Sequence, residues 1–241
     1  MAEARASDLP VLDREIGAEL ARIEAAVGAG ETDLRGLGFW RIVARVKIDR
    51  ILIDRHADRI GRIDAAAFRR AVRPRFPVWL GNTVLLAGAA VSGVLIGVAG
   101  AVGSPGWKGV WIVAAGVGWA ITLHCPTHWI FGWFVGVRFT DYFFGGPPPP
   151  RPGLKSDYAT YLRADPGSRA WMHASGAIAT KLAPFLALIF VRVVDAPWWA
   201  AVVLLAVGIG QILTDVRFST ASSDWKKFAR ERRVARARAD I

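Results

Sequence analysis

The residues of this chain that could carry out chemistry are few, and its four histidines are the most informative of them. His124 and His128 stand four residues apart in the segment LHCPTHW, so on an α-helix they would project from one face and could share a metal ion. Pro126 cannot donate a hydrogen bond to the carbonyl group of Thr122, which predicts a kink beside the two imidazoles. Cys125 lies about 100° around the helix from His124 and would join the histidines only if the kink turned it inward.

The elements that would position these histidines are membrane-spanning helices. Of the 241 residues 53% are hydrophobic, yet the net charge is +11, so the apolar and the charged residues must be segregated along the chain. A helix needs about 20 apolar residues to cross the hydrocarbon core of a bilayer. Four segments meet or approach this length: 77–102, 107–137, 170–191 and 198–213. The sequence therefore predicts an all-α integral membrane bundle of four transmembrane helices, preceded by cytoplasmic amphipathic helices.

The second half of the chain allows one other division. A single span from about residue 182 to residue 214 would bury both Arg192 and Asp195, which costs more than burying Lys181 alone in the third of four spans. We therefore expect Lys181 near the middle of the membrane, either on a substrate or proton pathway or as the partner of a carboxylate.

The charge distribution predicts five segments and an orientation. Residues 1–75 form a cytoplasmic or interfacial helical region, 76–137 and 170–217 form transmembrane hairpins, 138–169 form a loop rich in proline and aromatic residues, and 218–241 form a basic tail. Lysine and arginine concentrate beside the spans in the first, third and fifth segments, so we expect both termini on the cytoplasmic side of the cell membrane. Anionic lipid explains these basic residues, so the expected partners are membrane lipids, with a second copy of the chain or a partner membrane subunit, and not nucleic acid.

The cytoplasmic segments contain their own patterns. Apolar residues from Leu12 to Val27 recur at helical spacing between a cap at Ser7 and a stop at Gly28, and a second amphipathic helix is predicted over residues 37–60. These two helices would either lie in the lipid interface or pack together as a hairpin or self-association element.

The remaining cytoplasmic segments are the central loop and the tail. Four prolines at 147–150 predict a stiff rod, and the aromatic residues around them indicate a folded segment, with a docking site for a proline-binding partner as the alternative. Trp225 and Phe228 predict a tail helix on the membrane surface, although a solvated basic tail would have a similar sequence.

Depth along the four spans predicts one site. His124 and His128 lie toward the cytoplasmic end of the second span, and each of the other spans brings a polar residue to the same layer. The predicted metal ligands are His124, His128, His173 and Asp215, with Asn82 and Thr127 orienting them. Three imidazoles and a carboxylate suit zinc or iron, and a bound water at an open position would be acidic enough to attack a lipid ester, amide or phosphate.

Three functions fit these residues. The site resembles the histidine and aspartate sites of the ceramidase and adiponectin-receptor superfamily, whose members have more spans, and this resemblance implies a metal-dependent membrane hydrolase acting on a lipidic substrate. Alternatively, His128 and His173 could ligate haem b between helices in an electron-transfer subunit. In the third interpretation the histidines only bond to neighbouring helices, Asp215 pairs with Arg217 or Lys181, and the protein is a non-catalytic scaffold subunit. HExxH, GxSxG and phosphate-binding glycine motifs are absent from the sequence.

Overall fold

A computed structural model of the chain describes residues 2–145, 151–217 and 223–239, which are mainly α-helical as predicted. The helices are α1 (Ala2–Gly28), α2 (Phe39–Val46), α3 (Arg50–Ala71), α4 (Val78–Ala101), α5 (Pro105–Thr122), α6 (His124–Phe134), α7 (Tyr158–Arg163), α8 (Pro166–Val193), α9 (Trp198–Arg217) and α10 (Asp224–Ala239). The strands are β1 (Arg75–Pro77), β2 (Phe139–Gly145) and β3 (Arg151–Ser156). The chain divides into two compact units, one of Met1–Arg75, Gly136–Pro166 and Arg233–Ile241 and the other of Phe76–Val135 and Gly167–Arg232.

The N-terminal helices differ from the prediction at their ends. Ser7 lies inside α1, which begins before it, so the predicted cap is wrong. The predicted helix over residues 37–60 is two helices, because Asp49 accepts hydrogen bonds from the backbone N–H groups of Ile51 and Leu52 at 2.8 and 3.3 Å and thereby begins α3. Because the Asp49 side chain accepts hydrogen bonds from the N–H groups of the first turn, a new helix starts there, although the apolar spacing predicts one continuous helix.

The apolar face of α1 is buried inside the first unit. Ile16, Leu20 and Ile23 are fully buried in one apolar cluster with side chains of α2 and α3, among them Phe39, and with Leu162 of α7. Lipid therefore has no access to these side chains. This packing supports the hairpin interpretation of the amphipathic helices over the interfacial one.

The central segment 138–169 is folded rather than a plain loop. Strands β2 and β3 form an antiparallel hairpin in which Tyr142 faces Leu154, and β1 completes a sheet of order β1-β2-β3. Asp157 then caps α7 by accepting a hydrogen bond from the N–H of Ala159 at 2.9 Å. The four prolines at 147–150, and with them the predicted rod and proline-binding motif, lie outside the described residues.

The second unit contains the membrane-length helices. Val78–Ala101, Pro166–Val193 and Trp198–Asp215 are each long and apolar enough to cross a membrane, and α5 with α6 makes a fourth if the bent pair counts as one span. All four predicted segments are thus helical, with the third beginning earlier than expected. Large apolar side chains on these helices are exposed, including Val94, Ile189, Val202 and Leu213, as is usual for surfaces that face lipid.

The second predicted span is broken where its sequence indicates. Helix α5 ends at Thr122 and α6 begins at His124, and the two axes differ by 44°. Pro126 is the third residue of α6, where its missing N–H group costs no intrahelical hydrogen bond. The kink predicted from Pro126 therefore lies just before it, and it places His124 at the first position of a new helix.

Candidate metal centre

Three side chains from two helices converge at the break between α5 and α6. His124 is the first residue of α6, His128 lies one turn later, and Asp224 is the first residue of α10. The Nε2 atoms of His124 and His128 lie 3.3 and 3.2 Å from Oδ2 of Asp224. The two imidazole rings are 4.8 Å apart and nearly perpendicular, and one ligand atom from each of the three residues lies within 4.8 Å of the other two.

Hydrogen bonds on the far side of each imidazole fix its tautomer. Nδ1 of His128 lies 2.6 Å from the carbonyl oxygen of Met172, which can only accept, so this nitrogen carries a proton. Nδ1 of His124 lies 2.9 Å from Oγ1 of Thr180, and that hydroxyl donates its own hydrogen to the carbonyl oxygen of Gly176 at 3.0 Å. The hydroxyl oxygen must therefore accept from His124. In their neutral forms both histidines direct the lone pair of Nε2 toward Asp224.

The spacing of these atoms matches a metal site better than a direct ion pair. A carboxylate cannot donate a hydrogen bond, so without a metal ion both imidazoles would have to be cationic to bond to the same oxygen. Charge-assisted N–H···O contacts usually measure about 2.7–2.9 Å, as does Arg59 to Glu24 at 2.8 Å in this structure. The 3.2 and 3.3 Å separations instead approach the edge of a tetrahedron with metal–ligand bonds of about 2.0–2.1 Å, which is roughly 3.3–3.4 Å.

The surroundings of Asp224 favour the ionised form of its carboxyl group. Burial alone would raise its pKa, but the close contacts with the imidazoles of His124 and His128 and the positive charge of Lys227 hold the pKa of this carboxyl well below its ordinary value. Nζ of Lys227 lies 3.0 Å from Oδ1, the carboxylate oxygen that the histidines do not contact. The carboxylate is therefore ionised at neutral pH.

Helix α10 carries Asp224, and residues that follow Asp224 on this helix pack against the start of α8. Nε and Nη2 of Arg169 both lie 2.8 Å from Oε2 of Glu231, and both side chains are fully buried. The rings of Trp171 and Phe228 meet edge to face with centroids 5.3 Å apart. The first half of α10 thus packs against a membrane-length helix. The tail is therefore not a solvated segment, and its aromatic residue Phe228 faces protein as well.

The structure brings together some of the predicted ligands and not others. His124 and His128 meet as expected, but the carboxylate of Asp215 contacts Lys181, which is the alternative pairing that the sequence allows. His173 follows Met172, whose carbonyl oxygen contacts His128, yet it is not one of the three grouped side chains. The third side chain that could hold a metal ion beside His124 and His128 is Asp224, and Asp215 is not in this group.

One of the predicted orienting residues, Thr127, has its partner in its own helix. The hydroxyl of Thr127 donates to the carbonyl oxygen of Leu123 at 2.7 Å, within its own helix, while Asn82 is buried in α4. The carbonyl group of Met172 and the hydroxyl of Thr180 contact the Nδ1 atoms of the imidazoles and orient the rings. Sequence reasoning missed these partners because any helix can offer a backbone carbonyl, and the position of Thr180 gives no separate signal.

The geometry around His128 favours a metal ion over haem. The ring of His128 packs directly against the backbone of Gly176. Any side chain at position 176 would clash with the ring, because its Cβ would lie 2.4 Å from Nε2 of His128. Haem ligation by His128 and His173 would require Nε2 of His128 to face a porphyrin iron, whereas it faces Asp224.

Comparison with protein-family models, with curated proteins and with solved structures finds no match for this chain.

Proposed function

We propose that this chain is a multi-pass protein of the cell membrane that binds one zinc or iron ion between His124, His128 and Asp224 and uses it to hydrolyse a lipidic substrate. The observation that carries the proposal is the convergence of two imidazole lone pairs and one carboxylate oxygen, with each Nδ1 already bonded elsewhere. Such bonds from the second ring nitrogen are what orient histidine ligands in metal sites.

The ligand number supports a catalytic ion rather than a structural one. Structural zinc sites are usually closed by four protein ligands, whereas catalytic sites have three and leave a position for water or substrate. The side chain of His124 is 35% exposed and that of His128 only 12%, so the centre is open on the side of His124. A bound ion would acidify a water molecule at that position and polarise the bond to be cleaved.

The membrane part of the proposal depends on composition and charge. The three or four apolar helices expose large apolar side chains, and the basic residues beside them favour a bundle with both termini in the cytoplasm. Because His124 and His128 lie in the first turns of α6, which belongs to the bent apolar pair, a lipid headgroup is the substrate best placed to reach them.

His128→Ala should remove the bound metal, because it deletes one of three ligands and the one whose ring is held most closely. We expect about one equivalent of zinc or iron in the wild-type protein purified in detergent and less than about a tenth of an equivalent in the variant. Elemental analysis after exhaustive dialysis measures both values.

His173→Ala is the matched control, since His173 lies nearby but outside the ligand group. It should keep the full equivalent of metal. Equal loss of metal from both variants would contradict the three-residue centre and favour the ligand set predicted from the sequence. Wild-type protein without metal would contradict the enzyme proposal and favour a scaffold in which these side chains only join helices.

A further inference from the structure

The proposed metal centre has an excess of positive charge, and this excess restricts its substrate. The restriction rests on the proposed function, because it requires a bound metal ion. A divalent ion, the single carboxylate of Asp224 and the ammonium group of Lys227 leave two positive charges unbalanced when the imidazoles are neutral. Among the described residues of α6, α8, α9 and α10, the other two carboxylates do not compensate, because Glu231 pairs with Arg169 and Asp215 with Lys181.

Lys227 is placed to contact a substrate as well as the ligand. Its Nζ lies 3.0 Å from Oδ1 of Asp224, while the metal would take Oδ2. An ammonium group has three donors, so others remain for a second acceptor. The side chain is 32% exposed, similar to that of His124, so both the open coordination position and the ammonium group can be reached from outside.

The nearby carboxylates are all engaged, which argues against chemistry that needs a carboxylate base. Within the residues that the structure describes, Asp224, Asp215 and Glu231 are each bonded to a cation or an imidazole. Hydrolysis of an amide usually depends on such a base beside the metal. Phosphoryl transfer depends mainly on positioning and on neutralising the charge of the phosphate oxygens, which a metal ion and a lysine supply.

We infer that the site takes a phosphate ester, with its anionic oxygens shared between the metal ion and Lys227. In the hydrolysis the oxygen of water bonds to phosphorus, the phosphorus–oxygen bond to the alcohol breaks, and a proton from water passes to the departing alcohol. The step needs no oxidant or reductant. The ligand chemistry is a phosphate group, borne by a membrane lipid or by a soluble ester.

Phosphate binding to the full-length protein tests this inference directly. The protein is loaded with Co²⁺ in detergent, metal content is measured, and inorganic phosphate is titrated while the visible spectrum is followed. We expect phosphate to bind at least about tenfold more tightly than acetate, and Lys227→Gln to weaken phosphate binding about tenfold. The matched control is Lys226→Gln, which removes an exposed neighbouring charge and should leave phosphate affinity unchanged.

The outcomes separate the inference from the proposed function. A protein that holds Co²⁺ but binds phosphate no better than acetate, or equal phosphate affinity in the two lysine variants, overturns the phosphate inference and leaves the metal centre intact. A protein that holds no metal overturns both. Phosphatidic acid in detergent micelles should displace inorganic phosphate, whereas diacylglycerol should not. Failure of phosphatidic acid to compete would overturn the lipid source and leave a soluble phosphate ester.

Discussion

Asp224→Asn is expected to lower the affinity of the protein for zinc by at least about 100-fold. Loss of a partner that only orients a ligand already weakens metal binding about 10- to 100-fold, and this change removes a direct ligand together with its charge. The amide has nearly the same shape as the carboxylate, so the packing of α10 should be preserved. Competition with a chromophoric chelator measures the affinity.

Asp215→Asn provides the comparison that makes this test specific. Asp215 is the carboxylate that the sequence places beside the histidines, whereas in the structure it contacts Lys181. We expect Asp215→Asn to bind zinc as tightly as the wild type. Loss of zinc from Asp215→Asn with retention by Asp224→Asn would reverse the assignment and contradict the centre.

The second large effect is expected from Arg169→Ala, which acts at a distance from the metal. The substitution leaves Glu231 fully buried without the guanidinium beside it, and breaking a buried ion pair in this way usually costs about 3–5 kcal/mol. Helix α10 should then separate from α8 and carry Asp224 away from the histidines. We expect zinc affinity to fall and trypsin to cleave after Lys226 and Lys227 several times faster than in the wild type.

A double substitution distinguishes loss of this contact from general misfolding. Arg169→Met with Glu231→Leu removes both charges and retains side chains of similar length, so α10 should stay on α8 and zinc affinity should stay within about threefold of wild type. Helix content measured by circular dichroism should be unchanged in all variants. Arg169→Ala protein that binds zinc as tightly as wild type would show that α10 docking does not position Asp224.

The apolar segments and the histidine pair can be predicted from sequence because their signals are local. Twenty or more apolar residues specify a membrane-length helix wherever they occur, and a spacing of four places His124 and His128 on one face. The same is true of the break beside Pro126, which follows from a missing N–H group. Each of these features is set by interactions within a few residues.

Asp224 could not be predicted because its position is set by contacts between distant parts of the chain. It lies 96 residues from His128 in sequence, at the start of a helix whose charged residues are mostly basic. Hydropathy places such a helix on the membrane surface, and only the buried pair of Arg169 with Glu231 and the packing of Trp171 on Phe228 bring it to α8. The acidic residue that opens the basic run, in SSDWKKF, is the one local signal of a special role.

The helix ends and strands of the N-terminal unit could not be predicted from the sequence either. The apolar spacing of α1 predicts a helix, but its burial against α2 and α3 depends on the turn that Asp49 creates. The sequence predicts a loop where the β2–β3 hairpin lies, because its aromatic residues at 139, 142, 143 and 144 do not follow the alternation that is typical of a strand.

Zinc-edge X-ray absorption of the purified wild-type protein tests the metal centre most directly, because it reports the ligands of the ion itself. We predict one metal ion per chain, surrounded only by nitrogen and oxygen atoms at about 2.0–2.1 Å, with the scattering pattern of two imidazole rings. A sulfur ligand at about 2.3 Å, which would implicate Cys125, or a spectrum lacking imidazole, would contradict the centre formed by His124, His128 and Asp224.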